Sequence, residues 1–297
     1  MSLPPPQTDS SAQIFDQGYR RYDGPRTGVS GAIRSLVRHS FRHALGFGRA
    51  ARYKVLPFAV ILMAYAPAIV FVGIGVLLPP EIAEGALPGY AQYYGFVIAT
   101  IYLLAGFTVP ELLCSDRRTG LLGVYLASPL SRNTYLAGKF GAVLLLMSLV
   151  TFGPPFLLLV SLSLQELGPN GFEAWIKTFV FTLLAAIVMA LTYASIAFVV
   201  ASVTDRTAVA TATYLAAIPG TSTVSAIMTD GIGLSPHFRL FDLIQLPRNL
   251  VFRIFGENDG WLVSQNPTWT LWAVWMILVG GSLAATVLRY QRLLVRR

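Results

Sequence analysis

Apolar positions in this chain fall in long unbroken runs, not in the alternations of a soluble fold. Six such runs lie at 55–78, 92–114, 140–164, 176–203, 208–228 and 268–288. A helix needs about 20 residues to cross ~30 Å of hydrocarbon. In lipid every backbone polar group must be satisfied within the segment itself. The runs therefore predict six transmembrane helices and an all-α integral membrane protein. Proline and glycine mark where those helices bend. Pro57 and Pro67 lie inside the first run, Gly153-Pro154-Pro155 breaks the third near its middle, and Pro219-Gly220 interrupts the fifth.

The connections differ from one another. Residues 1–28 read as a flexible polar arm, with Phe15, Tyr19 and Tyr22 set among Arg20, Arg21 and Arg26. Such a segment is either a solvated tail or a dock for a protein surface. In residues 29–53, Ile33, Leu36, Val37, Phe41, Ala44 and Leu45 recur at spacings of three and four. Arg34, Arg38 and Arg42 form an i, i+4 stripe on another face. That pattern predicts an amphipathic interfacial helix with its arginines near lipid phosphates. His39 and His43 have the spacing of two metal ligands but no third nearby, so they read as part of the solvated basic face and no metal site is expected. Residues 229–267 are too many for a plain loop. Phe238, Phe241, Leu243, Ile244 and Leu246, then Pro247, then Leu250, Val251, Ile254 and Phe255 predict two short helices lying on, or dipping into, the outer leaflet. Trp261, Trp269, Trp272 and Trp275 read as interfacial aromatics.

Composition agrees with lipid as the solvent. Hydrophobic residues make up 55% and charged ones only 12%, where a soluble domain carries about 25% charge. The net charge of +8 could point to nucleic acid or to anionic lipid. Its distribution decides. Eighteen of the 22 Lys and Arg fall before the first run, after the second and fourth, and after the last. The opposite connections hold Lys177, Arg239, Arg248 and Arg253. The positive-inside rule puts both termini in the cytoplasm, and topology explains the charge without nucleic acid. The first 28 residues lack the apolar core of a signal peptide, so the first span is expected to serve as the insertion signal. The single cysteine, Cys114, allows no intrachain disulfide and reads as a packing residue. The Arg-rich, Ala/Gly/Pro-heavy composition suggests a bacterial inner (plasma) membrane.

Enzyme chemistry finds little support. The three histidines are His39, His43 and His237, and no carboxylate pair or Cys/His cluster accompanies them. No phosphate-binding G-x-x-x-x-G-K-[ST] loop occurs, so this chain binds no ATP in that manner. If ATP drives it, a partner subunit holds the ATP and magnesium. The deep parts of the spans hold almost no ionisable groups, which argues against a proton- or sodium-coupled carrier. Glu111, about one turn from the end of the second run, either pairs with Arg117 or Arg118 or serves, with Asp116, as a gate.

One stretch between the second and third runs carries the strongest signal, DRRTGLLGVYLASPLSRNTYLAGK from Asp116 to Lys139. Leu121, Leu122, Tyr125 and Leu126 form an apolar patch, and Pro129 ends the turn. A short amphipathic helix over about 117–130, parallel to the membrane, is predicted. This segment and the layout around it resemble the permeases of type-2 ABC (ATP-binding cassette) transporters over nearly all the chain after residue 28. Asp116 stands where that family often has Glu. The resemblance implies a coupling helix seated in a cytosolic ATPase, with Arg117, Arg118, Leu121, Leu122, Tyr125, Leu126 and Arg132 as contact or positioning residues. It also implies that residues 29–53 form the connecting helix, that two permeases join two ATPases, and that the activity is export. Two other readings stand beside it. One is an anchor that recruits a cytosolic partner and moves nothing; the other is a lipid-modifying membrane enzyme.

Overall fold

The computed structural model describes Gly24, residues 28–257 and residues 266–293. Nearly all of the expected arm, Trp261, and the terminal Arg296 and Arg297 lie outside the described residues. Every regular element among the described residues is helical. The order is α1 (Gly28–Ala44), α2 (Arg52–Leu77), α3 (Pro80–Ala86), α4 (Tyr90–Arg118), α5 (Leu121–Ala127), α6 (Arg132–Thr151), α7 (Gly153–Leu164), α8 (Phe172–Val203) and α9 (Thr207–Ala226). A π-helical turn (Ile227–Gly231) and a 3-10 turn (Pro236–Phe241) lead to α10 (Gln245–Phe255) and α11 (Thr268–Leu293).

Five stretches are long and apolar enough to cross a membrane: Tyr53–Leu77, Tyr90–Arg118, Arg132–Leu164, Phe172–Val203 and Thr268–Arg292. The protein is a multi-span helical membrane bundle. The run at 208–228 becomes α9 but is not among these five, because seven Ser and Thr residues dilute its apolar content. Some of their hydroxyls turn back on their own helix, as when Thr221 donates to the Ile218 carbonyl at 2.9 Å and Thr223 to the Pro219 carbonyl at 2.9 Å; Ser222 and Ser225 instead reach Asp242 and the Phe238 carbonyl. Pro219-Gly220 does not interrupt α9, contrary to the sequence reading. A proline removes one backbone bond and bends a helix without having to end it, and Tyr214, Ile218 and Ser225 keep both sides of the bend packed.

The third span does break. Pro155 has no N–H to offer the Thr151 carbonyl. The Tyr94 hydroxyl lies 3.1 Å from that carbonyl and 3.2 Å from the Thr182 carbonyl, and so fills the gap between three helices. Other core tyrosines also find backbone acceptors for their buried hydroxyls. Tyr93 donates to Ala64, Tyr193 to Leu243 and Tyr214 to Tyr193, all through backbone carbonyls. A buried hydroxyl in an apolar interior needs such a partner. α4 and α8 form the centre, flanked by α2, α6, α9, α10 and α11.

The amphipathic segment is shorter than its sequence suggests. α1 ends at Ala44 rather than 53, because Gly46 and Gly48 turn the chain through left-handed backbone before α2 begins at Arg52. α1 lies on α6, where Gly138 allows the approach: a Cβ there would stand 2.9 Å from Leu36 Cδ2. On the opposite side, residues 229–257 supply one α-helix and one 3-10 turn rather than two helices. Pro247 does not separate them but sits in the first turn of α10, where a missing N–H costs nothing. Asp242, nearly fully buried, accepts from the backbone N–H of Ile244 and Gln245 and from Ser222, which ties the start of α10 to α9. α10 packs on α8, α4 and α11. Trp275 is interior too, donating to Thr192 Oγ1 at 2.8 Å, while Trp269 is largely exposed.

Candidate functional site

α4 and α6 end side by side at the Arg-rich end of the bundle, and α5 hangs between them. Gly120, at φ +74°, makes the turn into α5 that a side chain would resist. On the far side Ser131 caps α6 by accepting from the Thr134 N–H at 3.2 Å. None of the seven residues of α5 is fully buried. Its apolar patch splits between two faces, which the sequence pattern alone did not resolve. Leu122 and Tyr125, three apart, turn inward onto the core. Leu121 and Val124, also three apart, point away from it at 43% and 66% exposure. Leu126 is half-buried, and Pro129 is exposed at the turn into α6. Val124 was not singled out in the sequence because its inward and outward neighbours are equally apolar.

The two ends of α5 are held fast. Lys139 Nζ lies 2.7 Å from Asp116 Oδ2, with the side chains 2% and 7% exposed. Tyr135 donates to the same carboxylate oxygen at 2.8 Å. The ammonium also sits over the rings of Tyr125 and Tyr135, at 5.6 and 5.8 Å. The last turn of α4 and the first turns of α6 are thereby joined directly beneath α5. Burial, then the Asp116 charge, pushes the Tyr125 hydroxyl above its ordinary value, so it stays protonated.

Arg117, expected as a contact or positioning residue, turns onto the end of α8. Its guanidinium donates to the Ser202 carbonyl at 2.8 Å and to the carbonyls of Ala201 and Thr204, and its Nε lies 3.2 Å from Asp205. Arg289 adds a bond to the Val203 carbonyl at 3.2 Å. Carbonyls at a helix C-terminus lack intrahelical partners and carry partial negative charge, so two arginines close the end of α8. Arg118, one residue on, is exposed and forms no ion pair among the described residues. Arg132 is exposed at the start of α6.

Glu111 pairs with Arg49 rather than with Arg117 or Arg118. Arg117 is already committed to α8, and Arg118 points off the bundle. Arg49 in turn covers the Tyr53 ring at 4.1 Å, so the pair fastens the turn after α1 to α4. Burial, then Arg49, pushes the nearby His43 imidazole below its ordinary value. Arg34, Arg38 and Arg42 are all exposed on α1, away from the face that meets α6. Lys139, Tyr135 and Asp205 escaped the sequence reading as partners. Asp116 and Lys139 are far apart in the chain, and no local period links them.

Among the described residues no group of three or more His, Cys, Asp or Glu side chains is placed to hold a metal. The arrangement is a short helix with two exposed apolar side chains, lying between two spans that the Asp116–Lys139 pair joins. No curated protein matches the chain. The model of the family described as ABC-2 family transporter protein matches residues 81–292, from α3 to the last turn of α11. The chain therefore belongs to the ABC-2 transporter family, as a membrane-spanning permease subunit that couples transport to ATP hydrolysis by a partner.

Proposed function

We propose that α5 is the coupling helix that seats in the partner ATPase, and that the protein works as an exporter. The observation that carries this is the pairing of exposed Leu121 and Val124 with ends anchored through Asp116 and Lys139. Apolar side chains outside lipid need a partner to cover them. A rigid joint lets a push on α5 move α4 and α6 together, a rigid-body change rather than a local one. Arg118 and Leu126 flank the contact; Arg117, Leu122, Tyr125 and Pro129 position it. In this reading α9 is the fifth of six spans, α1 is the interfacial connecting helix, and residues 229–257 cap the outer side. Both termini face the cytoplasm of a bacterium, and two permeases join two ATPases that carry the ATP and magnesium. The Arg-rich end, which carries the arginines of α1, Arg117, Arg118, Arg132 and the last turns of α11, supports that orientation.

The test is Val124→Asp, alone and with Leu121→Asp, in the complex reconstituted in proteoliposomes. Expression and melting temperature are expected to stay near wild type, while ATPase co-purification or nucleotide-driven cargo movement falls at least tenfold. Wild-type transport in the double variant would end the assignment. A wild-type complex that binds the ATPase but moves nothing with nucleotide would favour the anchor reading.

A further inference from the structure

Two cavities meet at Asn133 on the cytoplasmic side of α6. One is a cleft of about 700 Å³ whose walls include Leu126, Leu130, Ser131, Arg132, Asn133 and Gln291. The other is a slot of about 210 Å³ between α6, α8 and α11, walled by Leu136, Ala137, Phe140, Phe198, Leu283 and Val287. The first is polar and the second almost wholly apolar. They are stacked along the helices: Gln291 lies one turn beyond Val287 on α11, and Arg132 one turn before Leu136 on α6. Phe140 and Phe198 meet edge to face at 5.0 Å and set the width of the slot. At that volume the slot falls below the ~300–1,000 Å³ of a compact-ligand pocket, and its lining lies deeper along α6 and α11 than the polar mouth.

We propose that the cleft and slot together bind one anionic phospholipid, with its phosphate at Arg132 and one acyl chain in the slot. The occupant must be apolar along the slot and polar at its mouth, at the depth where the spans leave the hydrocarbon. A lipid of the same leaflet meets both conditions. The mouth is complementary to negative charge. Arg132 is exposed and makes no ion pair or side-chain hydrogen bond among the described residues. No Asp or Glu lines either cavity. The nearest acid in α4, Asp116, is buried against Lys139 and cannot neutralise it. The amides of Asn133 and Gln291 stand beside the arginine to receive phosphate or glycerol oxygens. Basic pockets between spans select anionic headgroups in this way. Leu126 and Leu130 form the wall shared with the turn after α5, so a bound headgroup buttresses the joint described above. The cytoplasmic leaflet is taken from the orientation in the proposed function; binding itself does not depend on α5 meeting an ATPase.

The experiment uses the full chain purified in detergent without any ATPase, so that its outcome is separate from docking. Native mass spectrometry reads phospholipid retained after exposure to equimolar phosphatidylglycerol and phosphatidylethanolamine. Wild-type protein is expected to keep one phosphatidylglycerol in about fivefold preference, the factor one arginine near an anionic headgroup supplies. Arg132→Gln is expected to bring that preference to near parity. Ala137→Trp, on an exposed position of the slot wall, is expected to reduce retention of both lipids, and Leu283→Trp reaches the same slot from α11 should the first variant misfold. No headgroup preference in the wild type, a preference unchanged by Arg132→Gln, or full retention in a folded slot-filling variant would each overturn the proposal.

Discussion

α2 and α8 are both long apolar spans, yet the bundle uses them differently. In its most apolar window α2 is 17% buried, whereas α8 is 67% buried. Leu62, Met63, Ile69 and Val70 of α2 face outward, and only a narrow strip including Ala64 and Ala68 meets the other helices. α8 places Ala185, Ala194, Ala197 and Ala201 against its neighbours, and its Thr192 and Tyr193 take part in hydrogen bonds across helices. Lipid tails are as apolar as leucine, so burial in a membrane rewards close packing and satisfied polar groups rather than more hydrophobicity. Hydropathy reports the solvent of a helix; residue size and hydroxyl placement report its neighbours.

The comparison can be broken first at the polar joint that the central helices protect. Lys139→Met leaves the Asp116 carboxylate buried without its cation, and should cost about 3–5 kcal/mol. The measure is the fraction of folded protein surviving detergent extraction and its melting temperature. Asp116→Asn combined with Lys139→Met should recover most of the loss, because the unpaired charge is gone; a double variant as unstable as the single one would mean that the pair is not what holds α4 to α6.

A direct test sets the two spans against each other. Ala194→Leu in α8 should cost about 1–3 kcal/mol through overpacking. Leu62→Ala in α2 should stay within about 0.5 kcal/mol, as changes at outward positions do. Equal melting shifts would erase the distinction between central and peripheral helices. A smaller effect is expected from Trp275→Phe, which removes the bond to Thr192 and should cost about 1 kcal/mol.

The smallest effect concerns pH. Burial and Arg49 hold the folded His43 imidazole below its ordinary value, so the folded state favours the neutral ring. Stability from this group is present above the unfolded value, near pH 6.5, and is lost as pH falls through it towards the folded value. His43→Gln should flatten the acid side of the melting-temperature profile between about pH 7 and 5. An unchanged slope would assign the acid sensitivity elsewhere.

Much of the Arg-rich end was legible in order but not in direction. The run from Leu121 to Leu126 announces a short apolar helix, since only a partner or the bundle can cover four large apolar side chains. Which face meets which was hidden, because Val124 and Leu122 are equally apolar and only the docking angle separates them. Arg117 and Arg118 look alike in the chain. One closes α8 and the other stays outside because consecutive residues point about a quarter-turn apart on a helix, and at this end of α4 only the Arg117 side meets the end of α8. The outer connection was legible as helical and amphipathic. That Asp242 would cap α10, and that α10 would enter between α8 and α11, depended on residues far away in sequence.

By itself the sequence determined the solvent, the long spans, the proline break in the third of them and the end of the bundle that collects arginine. Each follows from local composition or from period, and needs no knowledge of neighbours. The tertiary structure alone decided which spans are central, that Asp116 meets Lys139, that Glu111 meets Arg49, and that Leu121 and Val124 are exposed. Those outcomes depend on how helices approach one another, and approach is governed by small residues, bends and buried hydrogen bonds acting between distant parts of the chain.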